Sequence, residues 1–235
     1  MVFALAAVAT VLACLFAMAT FQRAAAGRGP HQWAWTVALV LFAAASVALA
    51  LGASTGWDDG TYKVFYLCGA IASVPWLALG TVFLLFGGPV GRRARGWLVF
   101  FSGLSLGAIL LAQMEPVTGT EIPVGKDTFT QALPRVLAAV ASGLGATVIV
   151  VGALWSLVRL LGADVAGRGR LAGANALVAT GTLVLSSGGL LQGFVGHDEA
   201  FALSLAVGIA VIYAGFLVAD GAPLPAPEPE YSHSE

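Results

Sequence analysis

The sequence predicts an all-α polytopic membrane protein, a bundle of seven transmembrane helices with its N-terminus outside and its C-terminus inside. Two observations carry this. All 11 Lys and Arg and 12 Asp and Glu residues sit at the ends of seven long apolar runs or between them, none in the middle of one. The composition, 59% hydrophobic and 10% charged with a mean hydropathy of +0.91, is also far from that of soluble domains. A helix needs about 20 mainly apolar residues to cross a bilayer, because lipid offers its backbone no hydrogen-bond partner.

The runs are Val2–Thr20, Trp33–Ala53, Val64–Phe86, Trp97–Met114, Val136–Leu157, Leu171–Val195 and Ala200–Ala219. No basic residue precedes the first, and Arg23 and Arg28 follow it, so it reads as an uncleaved helix rather than a signal peptide. Residues 1–220 form the transmembrane domain. Residues 221–235, with Pro223, Pro225, Pro227 and Pro229, are expected to be a disordered cytoplasmic tail.

Orientation follows from the basic residues, which concentrate in cytoplasmic connections. The first, third and fifth connections carry Arg23, Arg28, Arg92, Arg93, Arg95, Arg159, Arg168 and Arg170, whereas the others hold only Lys63, Lys126 and Arg135. Trp33, Trp35, Trp57, Trp97 and Trp155 fall near span ends, where indoles anchor at the interface. Cys14 and Cys68 read as small core hydrophobes, since they lie about 18 Å and about 9 Å from the outer ends of their helices, too far apart to bridge.

Two groups of residues are candidate sites. Outside, Asp58, Asp59, Glu115, Glu121, Asp127, Asp198 and Glu199 are joined by Tyr62, Gln113, Gln192 and His197. Carboxylates beside an imidazole can hold a divalent cation or attract a cationic solute. They also serve as a solvated rim that enforces topology, and no His-x-x-x-His spacing favours a metal. Asp58-Asp59-Gly60 reads as a turn.

Inside, Pro75 removes the hydrogen bond to the Ile71 carbonyl and is expected to kink the third run beside Trp76, on a face with Gly69, Ser73 and Gly80. In the sixth run Asn175, Ala179, Thr182, Ser186, Gly189 and Gly193 fall within roughly 40° of one direction, a stripe that faces protein rather than lipid. Packing alone explains both features, and a cavity lined by Ser73, Pro75, Trp76, Asn175, Thr182 and Ser186 is the functional alternative. Residues 78–88 and 179–189 share six identities, an arrangement expected of inverted repeats if it is not accidental. Gly103-x-x-x-Gly107 and Ser204-x-x-x-Gly208 permit tight helix contacts.

Several seven-helix chemistries lack their residues. A retinal Schiff base needs a Lys in the last run, and Ala200–Ala219 has none. Zinc hydrolysis or haem ligation needs intramembrane histidines, but His31 and His197 belong to opposite sides and His233 to the tail. No cofactor, metal or nucleic-acid partner is expected. The leading reading is a small transporter-like or sensor-like bundle with a neutral-solute cavity between the third and sixth runs. Its rival is an accessory subunit docking another membrane protein or its own copies, and third comes an outer-rim metal site or membrane enzyme. A cavity reaching Trp76 and Thr182 favours the first; a solid interior with an exposed glycine face favours the second. The bias to Arg, Ala and Gly suggests a bacterial cytoplasmic membrane.

Overall fold

The apolar runs fold as helices because each backbone N–H and C=O then finds its partner within the segment. The computed structural model describes residues 1–161, 168–195 and 197–220; the Pro-rich tail expected at 221–235 lies outside them. The elements are α1 (Val2–Ala25), α2 (Pro30–Thr55), α3 (Asp59–Phe65), a π-helical segment (Tyr66–Ser73), α4 (Val74–Leu110), α5 (Gly125–Thr128), α6 (Ala132–Leu161), α7 (Arg168–Val195) and α8 (Asp198–Asp220). Among the described residues, six helical stretches are long and apolar enough to cross a membrane. The chain is a helical, multi-pass membrane protein whose apolar faces meet the bilayer.

One of those stretches, Asp59–Leu110, holds 52 residues. Straight, it would extend about 78 Å against a hydrocarbon core of about 30 Å. It does not run straight, because Gly87 breaks it with φ 75° and ψ −177°, a conformation open to glycine and strained for other residues. Three contacts fix the two limbs side by side and antiparallel. Lys63 Nζ donates to the Leu110 carbonyl at 3.3 Å, Trp76 Nε1 donates to Ser102 Oγ at 3.3 Å, and a Cβ on Gly91 would collide with the Phe83 ring. The third and fourth apolar runs are therefore the two limbs, residues 59–86 and 88–110, of a helical hairpin.

The helices close a circuit in which α1 packs on α2, α2 on α4, α4 on α6, α6 on α7, α7 on α8, and α8 back on α1. Tyr62, Ile71, Ile109, Phe129 and Leu137 fill one end of the interior. Phe16, Leu39, Ile209, Ile212 and Phe216 fill the other.

The distortion expected at Pro75 is taken up one turn earlier. Pro75 sits in the first turn of α4, and the wider π-helical turn Tyr66–Ser73 precedes it. A π turn relieves the clash between a proline ring and the carbonyl four residues back. It also changes which carbonyls are occupied: Ala70 O accepts a hydrogen bond of 2.6 Å from Ser142 Oγ on α6, and Ser73 Oγ donates to Gly69 O at 3.0 Å. Gly145, one turn along α6, has no side chain, and a Cβ there would come within 2.9 Å of Val74. The irregular turn is thus supported by α6.

Three assignments from sequence change. Trp57 is buried, its ring filling the space that a Gly52 side chain would need. Trp35 is half-buried, its indole donating to Leu77 O at 3.2 Å, while Trp33, Trp97 and Trp155 are exposed. Cys14 is exposed on α1 rather than in the core, and Cys68 is half-buried. The physical reasons differ: near a span end an indole is tolerated by interface and protein alike, and a thiol is small and apolar enough to face lipid or protein anywhere along a span, so position in the run does not select the face.

Gly87→Ala is expected to destabilise the protein in detergent by about 1–3 kcal/mol, the cost of strained backbone at one residue. Gly96→Ala, at a helical position with nothing within 4 Å of the added Cβ, is expected to leave the thermal midpoint unchanged or raise it. Thermal unfolding of both variants beside the parent checks the pair.

Candidate functional site

A hydrogen-bonded polar structure lies over the Asp58 end of the bundle, where the connection from α4 to α6 crosses from helix to helix. A short antiparallel bridge starts it: Glu115 N donates to Thr128 O at 2.9 Å, and the Thr130 hydroxyl donates to Gln113 O at 3.1 Å, on either side of Met114 and Phe129. Trp57 N donates to Gly119 O at 2.8 Å, tying the connection to the end of α2. The far side is held by α7 and α8. Asp198 Oδ2 accepts from Ile122 N at 2.8 Å, and Asp198 Oδ1 accepts from Gln192 Nε2 at 2.9 Å. Gln192 Nε2 also lies 3.5 Å from the Ile122 carbonyl. Asp198 is the first residue of α8, where the partial positive charge of the helix terminus favours a carboxylate.

Beneath the connection lies an aromatic floor. Tyr62 is 1% exposed and packs on Trp57, Tyr66 and Phe129 at ring separations of 5.9, 5.8 and 5.7 Å. Phe129 also meets Tyr66 at 4.8 Å, so residues of the connection seal this end of the interior.

The outer set expected from sequence therefore divides by task. Asp58 caps α3, accepting from Gly60 N at 2.8 Å and from the Thr61 hydroxyl at 2.6 Å. Hydrogen bonds from the Thr61 hydroxyl and N–H hold its carboxyl below the usual carboxylate range. Gln192 and Asp198 hold the connection, and Tyr62 belongs to the aromatic floor rather than to a rim. Asp59, Gln113, Glu115, His197 and Glu199 are exposed. An open depression of about 630 Å³ is lined by Glu121, Ile122, Val124, His197, Asp198 and Glu199. Among the described residues no group of three or more His, Cys, Asp or Glu side chains is placed to hold a metal ion.

The inner set also divides. Trp76 points at Ser102 on the second limb of α4, whereas Pro75 faces Gly145 of α6. Thr182 is buried on α7 and donates to Val178 O at 2.8 Å; Asn175 Nδ2 donates to Leu171 O at 3.0 Å. Ser186 is half-buried. Helix α6 packs on both α4, which carries Trp76, and α7, which carries Thr182. Close packing of α7 on α8 runs through neighbouring glycines: a Cβ on Gly181 would meet Ile212 and the Gly208 carbonyl, and one on Gly188 would strike Ser204. The Ser204 and Gly208 spacing is used here as expected. Gly80 and Gly181, aligned in the internal similarity, face unlike partners, the Trp35 indole and Ile212.

The clasp on Ile122 was missed from sequence. Its only signal is an isoleucine between Glu121 and Pro123, which gives no hint of its distant partner. No protein-family profile, curated protein or solved structure matches the chain.

Asp198→Asn keeps the shape and removes the charge. The connection is expected to loosen, with a loss of about 1–2 kcal/mol because hydrogen bonds to a charged group are weakened. Amide hydrogen exchange is the check: protection at Ile122 should fall while protection in α1 stays unchanged.

Proposed function

We propose that the chain crosses the membrane seven times, N-terminus outside and C-terminus inside, and acts as a non-enzymatic accessory subunit that docks another membrane protein on the second limb of α4. The span count is supported by six apolar stretches, one of them doubled back at Gly87. The orientation is supported by the eight arginines of the first, third and fifth connections. The composition favours a bacterial cytoplasmic membrane.

One observation carries the docking role. Gly145, Gly152, Gly181 and Gly188 each face a neighbour that a Cβ would strike, whereas Gly96, Gly103 and Gly107 have nothing within 4 Å. Gly143 of α6 and Gly169, Gly173 and Gly189 of α7 are open as well, but Gly96, Gly103 and Gly107 recur at helical spacing on one face of one limb. Exposed apolar side chains alone distinguish nothing, since lipid asks for them on every helix, and α1 shows Val8, Val11 and Leu15. Glycine is different. It costs a helix up to about 1 kcal/mol relative to alanine, and in membranes it lets a second backbone approach closely. On this limb the glycines stand among exposed Trp97, Phe100, Leu104 and Leu110.

A transporter-like or sensor-like cavity around Ser73, Pro75, Trp76, Asn175, Thr182 and Ser186 is the second reading, favoured by the π-helical turn and the buried Thr182 hydroxyl. It requires Trp76 to leave Ser102 and space to open across α6. A solute or cation site at the outer depression is third, and it requires Asp198 to release Ile122.

A photocrosslinking residue at position 104, compared with one at position 11 on α1, tests the docking role in native membranes. The expected result is a discrete protein adduct at 104 and lipid alone at 11. Gly103→Leu and Gly107→Leu should abolish the adduct while changing the stability of the isolated protein by no more than about 0.5 kcal/mol, as for open surface positions. Lipid alone at both positions would sink the proposal.

A further inference from the structure

The Arg-rich end of the bundle holds a recess that neither the outer connection nor the glycine limb uses. It lies between the first limb of α4, the end of α6 and the start of α7, has a volume of about 290 Å³, and is lined by Trp155, Ser156, Arg159 and Asn175 with Leu85 and Leu171. That is the low end of the roughly 300–1,000 Å³ of small-ligand clefts, suited to a headgroup rather than to a whole amphiphile.

Its depth is set by neighbours. Leu85 precedes the Gly87 reversal, Arg159 is in the last turn of α6 and Leu171 in the first turn of α7, beside the connections that carry Arg92, Arg93, Arg95, Arg168 and Arg170. Charged connections at the end of apolar helices mark the level of lipid headgroups whichever way the bundle faces. The lining is split by polarity. Leu85 and Leu171 offer an apolar wall, while Arg159, exposed, and Ser156, half-buried, offer donors. Asn175 Nδ2 gives one hydrogen to Leu171 O, which leaves its second amide hydrogen and its carbonyl for a ligand. Among the described residues no acidic side chain lines the recess. The Trp155 ring is 60% exposed at the rim, where an indole reaches both chain and headgroup.

We propose that this recess binds the phosphodiester headgroup of an anionic phospholipid. Arg159 takes the phosphate oxygens in the forked geometry that suits guanidinium better than ammonium. Ser156 and Asn175 meet the headgroup hydroxyls, and Leu85 and Leu171 flank the upper acyl chain. Free phosphate offers the same anionic oxygens, at equal or greater charge, but gains nothing from the apolar wall, so an amphiphile uses the whole lining and a small ion half of it. The site does not depend on the docking role.

The test uses the full chain in an uncharged detergent, with thermal unfolding followed against dioctanoyl phosphatidylglycerol, dioctanoyl phosphatidylcholine and inorganic phosphate. Ligand that binds only the folded state raises the midpoint with concentration. Phosphatidylglycerol should stabilise the parent, and Arg159→Gln should shift the half-effective concentration up by about tenfold, the loss expected for one charge-assisted hydrogen bond. Arg159→Lys should fall between. Arg95→Gln, an exposed arginine outside the recess, should respond as the parent does. Leu85→Trp, which fills the recess without touching its charge, should weaken the response as well. Equal responses of the parent, Arg159→Gln and Leu85→Trp would overturn the site, as would stabilisation by phosphatidylcholine equal to that by phosphatidylglycerol, or no response of the parent to any lipid. Stabilisation by inorganic phosphate as strong as by phosphatidylglycerol would overturn the lipid assignment in favour of a free anion.

Discussion

The irregular turn before Pro75 and the close helix contacts follow from a single shortage: within the hydrocarbon layer nothing but protein can accept or donate a hydrogen bond. Where the helices are regular the backbone supplies its own partners. Where they are not, a side chain from a neighbour does so. The π-helical turn before Pro75 is completed by Ser142 on the Ala70 carbonyl, and the indole of Trp35 is placed on Leu77 O. The full break at Gly87 falls in the stretch leading to Arg92, Arg93 and Arg95, beside charged residues rather than in the middle of an apolar run.

The same shortage explains how the helices approach one another. In lipid there is no hydrophobic gain from joining two apolar helices, so close contact depends on packing area. The contacts of α7 with α8 and of α6 with α4 are made where glycine removes a side chain from one partner and the other fills the space, as at Gly181 with Ile212 and Gly145 with Val74. On the second limb of α4, Gly96, Gly103 and Gly107 have no atom within 4 Å of an added Cβ. The Asp58 end, which carries the long polar connection, uses another device. There the long connection is held by side chains of distant helices, with Asp198 accepting from the Ile122 backbone.

The apolar runs were legible because the need for about 20 uncharged residues leaves a strong linear signal. The uses of Ser204 and Gly208 were legible for a similar reason, since small residues four apart share a helix face. What composition could not reveal was the partner. Trp57 and Tyr62 sit where anchors are expected, yet both are buried beneath the connection. Trp76 needed a partner for its N–H and found Ser102, which lies near it only because the chain reverses at Gly87. Asp198 and Ile122 are 76 residues apart, and a carboxylate at a helix start reads equally well as a cap or a rim charge.

The central claim is that residues 59–110 enter and leave the membrane on the same side. Single cysteines at positions 58, 93 and 121, in a background with Cys14 and Cys68 replaced by alanine, can be labelled on intact cells with an impermeant thiol reagent. The account predicts labelling at 58 and 121 together, with position 93 reacting only after the membrane is permeabilised. Labelling of 58 and 121 from opposite sides would show a single crossing and contradict it, and labelling of 93 from the same side as 58 would do so as well.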